Sequence, residues 1–356
     1  MQLGIIGLPQ SGKTTLYKAL TGADIPTEMS AGQLQVHTAV VDVPDLRVDK
    51  LIEIYDPKKT VRAKVTYVDI AGLDGSAGRS GISGALSNQL AQMDGYIHVV
   101  RHFDNDSVAH ISGSIDPLRD IQIMDTEFIL SDLIMVERKL EKLVEEHRRG
   151  VNRDRAVIAI EIALFERLQE ALSSEKPLRD FEFSVEDNKI LSSYGFLSRK
   201  PQIVVINQSD DQKPIEYTSS FEHTMAICLP GKLEMDIAAL PAEDAAIFMA
   251  EFGIEEPSLK RLIRLSYELL GLQSFFTASE KEVHAWTLKK GSNAREAAGV
   301  IHSDMEKGFI RAEVISYDDL VIFGGTTEAR AKGKLRVEGK EYIIADGDIL
   351  VIRFNI

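Results

Sequence analysis

Eight residues near the start of the chain, Gly7-Leu8-Pro9-Gln10-Ser11-Gly12-Lys13-Thr14, match G-x-x-x-x-G-K-[ST] without departure. The chemistry this spacing permits is anion capture. Gly7 and Gly12 let the backbone curl so that successive N–H groups converge on phosphates, and a helix starting there adds its positive end. Lys13 supplies a point charge for the outer phosphates, and the Thr14 hydroxyl is a hard oxygen ligand for Mg2+. Pro9, Gln10, Ser11 and Thr15 complete the expected nucleotide-contacting set. An apolar run at residues 3–6 precedes the motif and a helical run at 15–20 follows it, which is the strand–loop–helix context the chemistry needs.

Two further stretches fit the same pocket. Asp69-Ile70-Ala71-Gly72 ends an apolar run at 64–68, which places Asp69 to hold Mg2+ through water and the Gly72 amide to sense a terminal phosphate. The glycine-rich residues 75–81 after it suit a switch loop. Asn207-Gln208-Ser209-Asp210 follows another apolar run and is close to N-K-x-D. An aspartate accepts hydrogen bonds from the ring N–H and exocyclic amine of guanine, which adenine does not offer, so Asp210 argues for GTP over ATP by a modest margin. Gln208 stands where lysine is usual and removes aliphatic packing over the base.

The elements that position these residues alternate. Strands are expected at 3–6, 38–43, 64–68, 96–100 and 202–206, with helical stretches between them, so the sheet is mostly parallel with helices on both faces, an α/β fold of the P-loop NTPase kind. From Thr126, Leu130, Leu133, Val136, Leu140 and Leu143 recur at helical steps, and a second run follows at Ile158, Ile162, Phe165, Leu168 and Leu172. These make an α-helical hairpin arm inserted in the sheet domain. Its turn, 148–155, carries Arg148, Arg149, Arg153 and Arg155; a solvated helix end is the simpler reading and an RNA or ribosome contact the other. After Gly271, short strands at 275–277, 283–288, 310–314, 341–344 and 349–354 with one helix near 293–301 form a small α+β unit. The expected division is 1–125 and 200–274 for the nucleotide-binding domain, 126–199 for the arm and 275–356 for the C-terminal domain.

At 356 residues the chain is long enough for two or three domains, and 44% hydrophobic with 27% charged residues is a globular balance. The net charge of −14 repels nucleic acid and anionic membrane over the surface as a whole, so any RNA contact needs a local basic patch. A single cysteine, Cys228, excludes an internal disulfide framework. With no leader and no membrane-spanning run read from the sequence, a cytoplasmic protein without a membrane partner is expected.

The phosphate loop, residues 61–73 (Val-Arg-Ala-Lys-Val-Thr-Tyr-Val-Asp-Ile-Ala-Gly-Leu), Ile97-His98-Val99-Val100-Arg101, His110-Ile111-Ser112-Gly113 and Asp116-Pro117 together resemble the YchF (Obg-like ATPase) subfamily of translation-factor-related P-loop GTPases. The likeness is densest at Phe275-Phe276-Thr277-Ala278, residues 282–287 and residues 301–314, which are similar to the family's TGS domain, a β-grasp module. The resemblance implies a monomeric NTPase linked to ribosomes, translation or stress regulation, and the Arg148–Arg155 turn together with the TGS domain is the expected RNA or ribosome contact. It puts the hydrophobic Leu73 where a water-orienting glutamine stands in other GTPases, which predicts slow turnover. It also gives His110 the role of a loop histidine that acts in hydrolysis beside Lys13 and Gly72; an ordinary loop histidine is the competing reading. Departures from the family pattern are Gln33 in place of the first-switch threonine, with Thr27 and Thr38 out of register, and Asp210 in place of glutamate. Pro230-Gly231-Lys232 replaces an S-A-K-like loop, and the second switch is altered around residues 81–84. The main expectation is therefore a slow GTPase or ATPase acting as a switch; the alternative is a nucleotide-binding scaffold with little or no hydrolysis. A small-molecule P-loop kinase is disfavoured, because no arginine-rich lid is visible.

Overall fold

A computed structural model describes residues 1–22, 36–70, 82–105, 108, 110–150, 153–212, 224–251 and 254–355. The expected switch features at Thr27, Gln33, Gly72, Leu73 and 75–81 lie outside the described residues. The chain forms two compact units, Met1–Ala39 with Thr66–Leu259, and Val40–Val65 with Lys260–Ile356. It leaves the first unit within one strand, re-enters within another and leaves finally near the start of a helix.

The first unit is built on a sheet of order β2-β4-β1-β5-β6-β7. It begins with β1 (Gln2–Ile6), α1 (Lys13–Thr21) and β2 (Val36–Asp42). The excursion through the second unit carries α2 (Leu46–Tyr55) and β3 (Thr60–Val61), and β4 (Lys64–Ile70) brings the chain back. Then come α3 (Gly84–Ala91), β5 (Gly95–Arg101), α4 (Pro117–Arg149), α5 (Arg155–Ser173), α6 (Val185–Leu191), β6 (Gln202–Asn207), β7 (Thr224–Leu229), α7 (Gly231–Ala239) and α8 (Ala242–Glu251). β1 pairs in parallel with β4 and β5, β5 with β6, and β6 with β7. Every residue of β5 and β6 is buried, which is why both read as continuous apolar runs rather than alternating ones. Ile6, Val68, Tyr96, Leu90 and Phe128 form one core under the helices, and Val100, Ile121, Val204 and Ile206 another.

The arm is longer than its periodicity predicts. α4 begins at Pro117, nine residues before the expected start, because Asp116 accepts the Arg119 N–H as N-cap and proline fits the first helical turn. α4 and α5 share their own core of Ile129, Val136, Leu143, Ile158, Phe165 and Leu168. The buried Asp132 carboxylate of α4 accepts from Leu197 N (2.8 Å), Ser198 N (2.7 Å) and Ser198 Oγ (2.6 Å), so the arm's base fixes the segment that enters β6. At the tip, Arg149 pairs with Glu145, and Arg153 is held between Glu146 and Glu161, so the basic turn is partly neutralised within the arm.

The second unit contains α9 (Ser258–Leu269, from Lys260 onward), β8 (Leu272–Ala278), β9 (Val283–Lys289), α10 (Ala294–Ile301), α11 (Ser303–Lys307), β10 (Phe309–Ile315), α12 (Tyr317–Phe323), α13 (Thr326–Ala331), β11 (Arg336–Glu338) and β12 (Ile349–Phe354). Its sheet has the order β11-β10-β12-β8-β9-β3, mixed in direction, with α10 packed on Phe275, Leu288, Val314 and Leu350. Arg47 of α2 joins this unit: it is clamped by Asp45 and Asp346 (2.9 Å each) and lies over the Phe276 ring at 5.1 Å. The strand expected at 341–344 is not formed; only a single bridge, Asn293 to Ile343, is present. The backbone there turns instead, because Asp348 accepts both the Ala345 N–H and the Tyr342 hydroxyl at 2.9 Å. Among the described residues, no helix is long and apolar enough to cross a membrane.

Candidate nucleotide-binding site

The phosphate loop is set by backbone conformations that few residues tolerate. Gly7 has φ 145° and Gly12 φ 97°, and Gln10 is left-handed at φ 62°. A Cβ on Gly7 would lie 2.2 Å from the Val99 carbonyl oxygen, and one on Gly12 would lie 2.1 Å from Asn207 Nδ2. Both glycines are therefore required by close approach as well as by φ. Gly12 caps α1 without a side-chain hydrogen bond, and the first turn of α1 carries no acidic residue. By contrast, α2, α3, α4, α5 and α6 each have an Asp or Ser cap that occupies a first-turn amide. Among α1 to α6, α1 alone lacks such a cap, and its start lies on a cavity.

That cavity is about 900 Å3, a size suited to a nucleotide. Gln10, Gly12, Lys13, Thr14 and Thr15 line one end, and Asn207, Gln208, Ser209 and Asp210 line the other. The two sequence-distant motifs are thus brought together. Asn207 is the join: its Nδ2 donates to the Ser11 carbonyl (3.0 Å) and its Oδ1 accepts from Gly231 N (3.0 Å). Gly231 is also sterically fixed, since a Cβ there would lie 2.7 Å from Asn207 Oδ1. This explains why the Pro230-Gly231-Lys232 loop takes its form, and Lys232 reaches the cavity lining. Pro9 and Ser11 do not line the cavity; they face a narrow cleft behind the loop.

Lys13 Nζ donates to the Gly7 and Leu8 carbonyls at 2.9 and 2.8 Å, which holds its charge over the loop. Thr14 Oγ1 donates to Asp69 Oδ2 at 3.5 Å. Burial pushes the Asp69 carboxyl up, opposed by the nearby charges of Lys13 and His37 and by the Thr14 hydroxyl. A hydroxyl and a buried carboxylate side by side are hard oxygen donors, which suit Mg2+ bound chiefly by phosphates and water. Among the described residues no group of three or more His, Cys, Asp or Glu is placed to hold a metal ion.

At the base end, Gln208 lines the cavity but is tied to its own loop. Its Nε2 donates to the Gln212 carbonyl (2.9 Å), and the Gln212 Oε1 accepts the Ser209 N–H (2.8 Å), so the loop is tied by its own amides. Asp210 is exposed on the cavity wall. Phe103, Asn105 and Val108 line the cavity too, and sequence reasoning missed them. Arg101 organises them by donating to the Phe103 and Val108 carbonyls (3.1 and 2.9 Å) with its guanidinium 4.7 Å from the Phe103 ring centroid. The arginine at the end of β5 was the available signal.

His110 lies elsewhere. Its side chain is buried beside Asp120, with Nε2 2.8 Å from Asp120 Oδ2, while Nδ1 accepts the Ser112 N–H at 3.1 Å. Since Nδ1 must accept, the neutral ring donates from Nε2 to the carboxylate. Asp120 also takes Arg119 at 2.9 Å. With both nitrogens engaged, His110 sits in the cleft behind the loop with Leu8, Pro9 and Ser11, not on the nucleotide cavity.

The chain is similar to known proteins over its whole length. A family model described as a 50S ribosome-binding GTPase matches residues 2–139, and one for the YchF-type GTPase C-terminus, described as a protein of unknown function, matches residues 272–355. The chain is 40% identical over 366 residues to the ribosome-binding ATPase YchF of Bacillus subtilis, covering 99% of both. It is 32% identical over 370 residues to Obg-like ATPase 1 of Pongo abelii, covering all of this chain and 92% of that one. The structure of the Schizosaccharomyces pombe YchF GTPase superposes with a TM-score of 0.86 at 31% identity, over 99% of this chain and 97% of that chain.

Proposed function

Because the chain belongs to the YchF/Obg-like ATPase family, we propose that it is a Mg2+-dependent P-loop hydrolase of a purine nucleoside triphosphate whose nucleotide state governs engagement of the ribosome. The observation that carries the reading is the uncapped start of α1, open to a cavity whose far wall is the Asn207–Asp210 loop. The α1 amides and Lys13 would hold the phosphates; Thr14 and Asp69 would hold Mg2+, which would supply positive charge against the phosphate oxygens. We assign GTP a modest advantage over ATP on Asp210. The relatives named as ATPases favour the opposite order.

His110 supports hydrolysis in this reading only after exchanging Asp120 for a water at the terminal phosphate. In the observed arrangement it is latched, which accords with slow turnover. Cytoplasmic location and a monomeric state complete the proposal. Single-turnover hydrolysis with Mg2+ tests it: wild type is expected to turn over slowly, Lys13→Ala to lose cleavage and most affinity, and His110→Ala to lose cleavage while keeping affinity. If all three bind nucleotide and are equally inert, the chain is a scaffold. Cosedimentation with ribosomes that ignores the bound nucleotide would remove the switch.

A further inference from the structure

The carboxylate of Asp120, in the first turn of α4, is divided between two partners. Oδ1 takes Arg119, from Nε at 3.1 Å and Nη2 at 2.9 Å, and Oδ2 faces the His110 Nε2–H at 2.8 Å. Arg119 in turn donates to the Ser114 hydroxyl (3.0 Å) and the Ser114 carbonyl (2.7 Å). His110 is closed from its other side: Nδ1 accepts the Ser112 N–H, and its carbonyl accepts the Gly113 N–H at 2.9 Å. Residues 110–114 are thus stitched to the start of one helix.

That helix is itself pinned. Asp125 of α4 meets Arg179 in a buried ion pair at 2.6 Å, and Asp132 holds Leu197 and Ser198. Asp120 is therefore a fixed point, and the short loop that carries His110 is the part able to leave it. The contact is also costly for what it encloses. Side-chain exposure is 5% for His110 and 3% for Asp120, and the walls of their cleft include Leu8, Pro9, Val99 and Val100. An apolar side chain would close such a cleft with less desolvation, so a buried ionisable pair is better explained as a device that selects between two states. Leu8 and Pro9 belong to the phosphate loop, which places the held ring directly behind the residues that face the nucleotide cavity.

We propose that Asp120 is a positioning residue that withholds His110 from the reaction, so that the rate of triphosphate cleavage follows the fraction of molecules in which the Asp120–His110 bond is open. The proposal rests on the reading above, in which a released His110 meets water at the terminal phosphate. While the closed form dominates, cleavage is slowed by the ratio of closed to open molecules, and whatever weakens the bond raises the rate in proportion.

The donor and acceptor pattern shows how to cancel the bond without emptying the cleft. In Asp120→Asn the amide oxygen can keep Arg119, which leaves the amide N–H facing the imidazole N–H, donor against donor. Moving the ring proton to Nδ1 only transfers the conflict to the Ser112 N–H.

The test is single-turnover hydrolysis of Mg2+–GTP by the full chain. Asp120→Asn should cleave ~10-fold faster than wild type, the loss of one charge-assisted hydrogen bond, with nucleotide affinity unchanged. Asp120→Ala should also be faster, and serves where the asparagine variant folds poorly. In a His110→Ala background the same substitutions should change nothing, which a merely structural role for Asp120 does not predict. Slower or unchanged cleavage in both Asp120 variants, or an acceleration that persists without His110, would overturn the proposal. Ring 15N spectra of wild type give a check that needs no variant: at about pH 8 the His110 ring should carry its proton on Nε2, and a proton on Nδ1 would rule the closed form out. If His110→Ala cleaves as fast as wild type, the hydrolytic role of His110 fails; if it is inert while the Asp120 variants match wild type, only the role of Asp120 fails.

Discussion

The two ends of the nucleotide cavity are made differently. At the phosphate end the working groups are backbone amides, held by positive-φ glycines whose missing Cβ atoms are demanded at 2.1 and 2.2 Å. At the base end they are side chains on a short loop tied by Gln208 and Gln212 amides. Backbone chemistry leaves a local, rigid imprint on sequence, because only a few residue types can adopt those conformations. Side-chain chemistry tolerates substitution, so this end can drift, and here it has: Gln208 replaces lysine, and Pro230-Gly231 replaces an S-A-like pair. The phosphate end should therefore be brittle and the base end forgiving.

Gly12→Ala tests brittleness most severely. The new methyl meets Asn207 Nδ2, which is held on both sides and cannot swing away, and the residue must still adopt φ 97°. The left-handed conformation costs ~1–2 kcal/mol and overpacking another ~1–3 kcal/mol. Isothermal titration should show nucleotide affinity reduced on the order of 100-fold or more. A tenfold loss or less would mean that the loop is plastic and that the contrast drawn between the two ends is mistaken.

Asn207→Ala probes the join between them and should cost less. It removes two hydrogen bonds and leaves the Ser11 carbonyl and Gly231 N–H without this partner, at about 1 kcal/mol apiece. Affinity for GTP and ATP should fall together, about 10- to 30-fold, since the residue supports the loop rather than reading the base. Loss of GTP affinity alone would show that Asn207 touches the base directly.

The same division explains what could be read from the sequence. β1, β4, β5 and β6 and the phosphate loop were legible because buried parallel strands are largely continuous apolar runs and the loop motif is contiguous. The start of α4 was not, although Asp116-Pro117 is a good helix entry, because the apolar period becomes visible only from Leu130. β7 was not read although it holds the apolar run Met-Ala-Ile-Cys-Leu; it stands at the end of the strand order, and of its residues only Ile227 and Leu229 are buried. Residues 341–344 have strand-like composition, yet Asp348 takes the turn's donors, a contact that no local pattern reveals. Phe103, which lines the cavity, and the Asp120 latch on His110 depend in the same way on tertiary partners. The basic turn of the arm looked richer in free charge than it is, because Glu145, Glu146 and Glu161 answer Arg149 and Arg153.

The smallest effect belongs to Asp210. It lies exposed on the cavity wall, so any hydrogen bond it makes to a base is screened by water, unlike one in a dry site. Replacing it with alanine should lower GTP affinity by no more than ~10-fold, about one charge-assisted hydrogen bond, and leave ATP affinity unchanged. Competitive titration of the two nucleotides on one preparation reads this ratio directly, free of differences in active fraction. Should Asp210→Ala move neither affinity while wild type already prefers ATP, Asp210 is not the base reader, and Phe103 with its Arg101 support becomes the residue that holds the ring, by stacking that does not distinguish the purines. Should GTP affinity collapse 100-fold instead, the base end is as exacting as the phosphate end, and its substitutions mark a changed specificity rather than tolerance.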